Sequence, residues 1–130
     1  MTSATSKSRL NISSGGAYEN VFGYSRAVAV GGQIHVSGTC APVSHEKLGA
    51  FEQTEAVLLT IENALKKAGA ELSDVVRTVV YVRDIGDADE VAKAHLEAFD
   101  KVRPASTLVQ VTSMLRPWQL VEIEAYALKA

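Results

Sequence analysis

Two carboxylates, Glu122 and Glu124, stand two residues apart in the otherwise apolar run Val121 to Ala125. Side chains of an extended strand alternate, so both acids share one face while Val121, Ile123 and Ala125 share the other. Such a pair is either the solvated outer face of an antiparallel strand or the wall of a site. The same alternation in the run before it, Arg103 to Val111, separates Thr107, Val109 and Val111 from Ser106, Leu108 and Gln110. Elsewhere, His35 and Ser37 share a strand face, and His95 falls in an apolar helical stripe, where a histidine is ordinarily a satisfied core or boundary residue. Cys40 has His35 and His45 each five residues away, a spacing that matches neither a zinc site nor a nucleophile and its base. The three histidines are too scattered for a metal site, and none is expected. Arg26, Arg103 and Arg116 are candidate anion anchors, with solvated surface charge as the plainer reading of each.

A short edge strand and seven further elements position these groups. Arg9 to Ser13 reads as a short edge strand, broken by Gly15-Gly16. Ala27–Val30 and Gln33–Ser37 flank Gly31-Gly32, and a two-residue glycine link between β-rich runs signals a hairpin, because its turn needs positive φ. Thr39 to Leu48 is loop. From Ala50 to Ala68, Phe51, Leu58, Ile61 and Leu65 recur at helical spacing, with Glu52, Gln53, Asn63, Lys66 and Lys67 on the far side; Gly69 ends the helix. Asp74 to Val82 is nearly continuous in β-branched residues and is expected to be buried on both faces. A second helix, capped by Asp87 with Glu90 three residues on, carries the stripe Ala88, Val91, Ala92, His95, Leu96 and Phe99 and stops before Pro104. Two C-terminal strands follow. The order implies an α+β fold, a mixed five- to six-stranded sheet with both helices on one face.

At 130 residues the chain reads as a single domain, 1–130, of which about 1–12 is a partly flexible polar tail. An apolar share of 47% with 22% charged residues excludes general disorder, and no apolar run approaches the ~20 residues a membrane helix needs. Met1 to Leu10 has no apolar core of a secretory signal, and the one cysteine fits a reducing cytoplasm. A net charge of −2 with scattered Lys and Arg argues against tight nucleic-acid binding. Two helices cannot cover both sides of such a sheet. Another copy of the chain is the simplest cover, so a homo-oligomer is expected, with open faces inward and a site where subunits meet.

Several segments together resemble the RidA (YjgF) family, called the endoribonuclease L-PSP family in older usage. They are GYSRA at 23–27, HVSG at 35–38, DVVRTVVYVRD at 74–84, EAF at 97–99, Pro104-Ala105 and VEIEA at 121–125. The resemblance implies a chorismate-mutase-like fold and a homotrimer with three clefts between subunits. It also implies hydrolysis of reactive enamines and imines to 2-keto acids and ammonia, without a cofactor. Carried over by position, it makes Tyr24, Ser37 and Gly38 substrate-binding residues and Glu122 the catalytic carboxylate that positions or activates water. Where active deaminases have an arginine to grip the substrate carboxylate, this chain has Ser106, followed by Thr107. Leu108 replaces a cysteine and Lys93 an asparagine of the family pattern.

A hydroxyl cannot supply the lost charge. The expectation is therefore a small-metabolite cleft with an altered substrate range, in which Ser106 and Thr107 line the site and Lys93 or His95 takes over part of the arginine's role from the rim. The alternative is a non-catalytic ligand-binding or regulatory trimer. An endoribonuclease, the activity in the older family label, is opposed by the acidic charge.

Overall fold

The computed structural model describes residues 8–130. Most of the expected N-terminal tail lies outside the described residues, and its last part is not tail at all. Arg9–Ile12 forms strand β1, paired antiparallel with the next strand. Its partner β2 (Ala27–Val30) and β3 (Gln33–Thr39) make the expected hairpin, in which Gly31 and Gly32 take φ of 55° and 84°. Positive φ at both turn positions matches the twist of the flanking strands, which is why two glycines are needed there. Between β1 and β2 a six-residue helix, α1 (Ala17–Phe22), interrupts what the sequence reading leaves unassigned.

Helix α2 (Ala50–Lys67) ends as expected. Ala70 N–H donates to Leu65 C=O (2.8 Å) and Gly69 N–H to Lys66 C=O (3.0 Å), with Gly69 at φ 80°. This closes the final carbonyls of the helix in the pattern that favours glycine. Strand β4 (Val75–Val82), helix α3 (Ala88–Phe99), strand β5 (Ala105–Gln110) and strand β6 (Val121–Leu128) complete the chain. The sheet order is β1-β2-β3-β6-β4-β5, antiparallel throughout except for the parallel pair β4–β5 joined across α3.

Both long helices pack on one side of this sheet. Val57, Ile61 and Leu65 of α2 and Val91 and Phe99 of α3 join Ile34, Val36, Val80, Val82, Ile123 and Ala125 in one core. Burying each large side chain stabilises the fold by about 1.5–3 kcal/mol. The opposite face carries His35, Arg77, Val79, Tyr81, Glu122, Glu124 and Tyr126, and among the described residues no helix covers it. In the protomer, strand β4 is accordingly buried on one face only. Thr78, Val80 and Val82 are buried, whereas Val79 and Tyr81 are half-buried and Arg77 is exposed.

Three local expectations need correction. Gln53, placed by periodicity on the solvent side of α2, is fully buried, because its amide bonds a loop that sequence spacing cannot reveal. Leu96 is 53% exposed while Ala94 is buried, so the buried face of α3 is rotated from the expected stripe. Asp87 precedes α3 without a capping side-chain bond, and it is the Asp84 carboxylate that accepts from a backbone N–H, that of Gly86 at 2.9 Å. The Ile85–Asp87 turn ahead of the helix moves the capping group upstream.

Candidate functional site

The pairing of β3 with β6 builds the site. Its register shifts between Val36 and Thr39, and the irregularity turns Ser37 and Gly38 toward Glu122 on β6. Gly38 has no side chain for a steric reason. A Cβ there would collide with the Glu122 carboxylate, so the absent side chain makes the room this acid occupies.

Arg26 supports the same spot from below. It is 8% exposed, and its Nη1 donates to Gly38 C=O (2.7 Å) and Thr39 Oγ1 (2.9 Å). Nη2 donates to the Tyr24 hydroxyl (2.7 Å), and the guanidinium also lies 5.2 Å from the Tyr24 ring centroid. Since the Tyr24 oxygen accepts from a cation, its own proton is free to be donated elsewhere. The Arg26 Nε is buried without a hydrogen-bond partner among the described residues. Ser37 Oγ donates to Ser25 C=O (2.7 Å), which leaves its lone pairs available.

These groups line a pocket of about 610 Å³. Tyr24, Ser37, Gly38 and Glu122, four of the expected site residues, come together in it. Of the rest, the sequence reading weighs Arg116 and Cys40, whereas Tyr18, Phe22, Ala41, Leu115 and Gln119 carry no signal there. Tyr18 and Phe22 of α1, Cys40 and Ala41 after β3, and Leu115, Arg116 and Gln119 of the β5–β6 loop also line the pocket. Burial first, then the neighbouring Glu122 carboxylate, push the Cys40 thiol up to about 12, with Arg26 pulling weakly the other way. A thiol raised in this way is disfavoured as a nucleophile.

The remaining expected site residues do not line this pocket. Ser106 lies on the helix side of β5, where Thr78 Oγ1 donates to its Oγ (2.7 Å) and contacts His95 Nε2 (2.9 Å). Burial lowers the pKa of His95, so the ring is neutral in this small polar chain. Thr107, on the open face, accepts from Arg77 Nη2 (2.9 Å). Lys93 is exposed and pairs with Glu90 at 3.6 Å. Lys93 and His95 are therefore not on the rim of this pocket, because α3 covers the opposite face of the sheet. Of the three arginines weighed as anion anchors, Arg26 and Arg116 reach the pocket, whereas Arg103 pairs with Asp100. Among the described residues, no three His, Cys, Asp or Glu side chains cluster as a metal ion would need.

A family model described as endoribonuclease L-PSP matches residues 16–129. The chain belongs to the L-PSP (YjgF) family. A solved YjgF-family protein from Mycobacterium tuberculosis is 45% identical and superposes with a TM-score of 0.87, over 93% of this chain and 99% of its own. An uncharacterized Streptomyces coelicolor protein is 37% identical over 94% of this chain and 95% of its own length. The 2-iminobutanoate/2-iminopropanoate deaminase of Capra hircus is 33% identical over 82% of this chain and 80% of its own. The α+β architecture expected of an L-PSP protein, six strands with two long helices on one face, is the one observed.

Proposed function

We propose that this L-PSP family member is a cytoplasmic hydrolase of small imines, binding its substrate in the pocket around Glu122. The observation that carries the reading is the convergence of Tyr24, Arg26, Ser37 and Glu122 on one concave site whose floor is opened by Gly38. Water adds to the C=N carbon as Glu122 takes one of its protons and passes it to nitrogen; the hydroxyl proton of the resulting carbinolamine is then carried through Glu122 to the amine, which leaves as ammonia as the C=O bond forms, giving a 2-keto acid. Tyr24, its oxygen already bonded to Arg26, donates to the substrate as charge develops. Similarity to the goat 2-iminobutanoate/2-iminopropanoate deaminase supports the reaction class.

The working unit in this reading is a homotrimer. The open sheet face supports it, since Val79 and Tyr81 lie there among charged partners and are only half-buried in the protomer. A neighbour's β5 edge would bring Ser106 and Thr107 to the cleft of the next copy. The decisive test is ammonia release from imino acids generated in situ by an amino-acid oxidase, comparing the wild type with Glu122→Gln. A fall of about 10²–10⁴-fold is expected, the contribution of a positioned acid–base group. Absence of release from every imino acid tried would remove the hydrolase reading.

One observation favours a second reading. Ser106 is tied to Thr78 and carries no charge, so the scaffold could serve as a ligand-binding protein without turnover. Gain of deaminase activity in Ser106→Arg would show that only the anchor is missing. Continued inactivity alongside ligand binding would support the binding role.

A further inference from the structure

Helix α1 is turned inside out. Its buried residue is Glu19, whereas Val21 and Phe22 are each 73% exposed. The inversion has a local cause. The Glu19 carboxylate accepts from Ser14 N (3.1 Å), Ser14 Oγ (2.8 Å) and Gly16 N (3.3 Å), and these bonds hold its pKa down against the opposing effect of burial. Gly23, at φ 88°, closes the other end. Anchored through its acid, the helix presents its aromatic rings outward.

Those rings are not scattered. Tyr18 and Phe22 stack with centroids 6.1 Å apart and planes 8° from parallel, and Phe22 meets Tyr24 edge-on at 6.0 Å. All three line the pocket around Glu122, with Leu115 contributed by the β5–β6 loop. A contiguous exposed apolar wall on the rim of a concave site marks a contact surface.

Arg116 stands on the same rim. It is exposed, and among the described residues no carboxylate pairs with it. Its loop is held in place: Gln119 Oε1 accepts from Arg116 N (3.0 Å), and Gln53 accepts from Leu120 N (3.0 Å) while donating to Trp118 C=O (3.1 Å). A fixed loop thus offers an unpaired guanidinium beside an aromatic wall. A guanidinium takes a planar carboxylate with two parallel bonds. The pocket volume, about 610 Å³ in the protomer, falls within the range of small-molecule sites.

We propose that this pocket selects 2-imino acids, and their 2-keto acid products, that carry an aromatic or large branched side chain. Arg116 holds the carboxylate and the Tyr18–Phe22–Tyr24 wall holds the side chain. The inference rests on the imine-hydrolase reading for the reaction but not for the binding.

Binding is measured by calorimetry with phenylpyruvate, pyruvate and the neutral phenylpyruvamide as probes. Phenylpyruvate is expected to bind at least tenfold more tightly than pyruvate. Arg116→Gln weakens phenylpyruvate about tenfold or more and leaves the amide unchanged; Phe22→Ala weakens phenylpyruvate and leaves pyruvate unchanged. Both substitutions fall at exposed positions, and circular dichroism checks that the fold survives. Equal binding of the two keto acids, or an Arg116→Gln protein that binds phenylpyruvate as before, overturns the proposal. A changed sedimentation mass of Phe22→Ala with unaltered phenylpyruvate binding also overturns it, by making the wall a contact between copies. The two readings fail separately: selective binding without ammonia release sinks the hydrolase alone, and release from small aliphatic imines without phenylpyruvate binding sinks the selectivity alone.

Discussion

Replacing Gly38 by alanine should damage activity far more than stability. An ideal Cβ at this position lies 3.0 Å from Glu122 Cδ and 3.3 Å from Cγ, and it overlaps the carboxylate oxygen. Gly38 is not among the positive-φ residues, so the backbone accepts alanine without strain. The clash therefore falls on the end of one flexible side chain. Turning the carboxylate aside costs about 0.5–1.5 kcal/mol in rotamer strain, less than the ~1–3 kcal/mol of overpacking a rigid core. In the imine-hydrolase reading Glu122 is the acid–base group, and displacing such a group by about 1 Å can lower a rate by ~10²-fold. Urea unfolding should then show a loss near 1 kcal/mol, against a hundredfold loss in ammonia release. A double-mutant cycle isolates the cause. In a Glu122→Ala background the collision partner is gone, and Gly38→Ala should become nearly neutral for stability. Equal destabilisation in both backgrounds, or full activity in the single variant, would refute the steric account.

Three other outcomes follow from the geometry. Glu122→Gln removes the charge that, after burial, raises the Cys40 thiol, so alkylation of Cys40 by iodoacetamide at pH 8 should accelerate in that variant. His95, held below its ordinary 6.5 by burial between Thr78 and Phe99, should titrate low by NMR; because its folded pKa is depressed, the stability it contributes is present above 6.5 and lost as pH falls through the folded value. Gln53→Leu strands Trp118 C=O and Leu120 N–H, which should reduce stability by about 1–3 kcal/mol in chemical denaturation. By loosening the loop that carries Arg116, it should also weaken phenylpyruvate binding.

What the sequence made readable was periodic. The Gly31-Gly32 hairpin, the span of α2, the alternation of β6 and the residues Tyr24, Ser37, Gly38 and Glu122 all rest on short-range spacing or on contiguous motifs. What it concealed depends on distant partners. Gln53 looks like a solvent-facing helix residue until the β5–β6 loop reaches it. Helix α1 is too short for a helical period to register, and its inversion depends on three bonds to one carboxylate. Ser106 and His95 meet only because β4 and β5 run parallel and place Thr78 between them. Arg26 was visible within GYSRA, but its place under Gly38 follows from the shifted register of β3 on β6.

The β3–β6 pairing has a further consequence for how the protein comes into being. The strands that meet in the middle of the sheet come from opposite ends of the chain, with both helices and β4 between them. Contacts so distant in sequence must close a long loop before they return any free energy, and they tend to form slowly. During synthesis β1, β2 and β3 can emerge and pair while β6 is still unmade, leaving the inner edge of β3 open. An open apolar edge is a template for pairing with the wrong chain. The pocket therefore cannot be completed until β6 has been made, and a nascent chain stalled before Val121 would carry the first half of the site as an aggregation hazard.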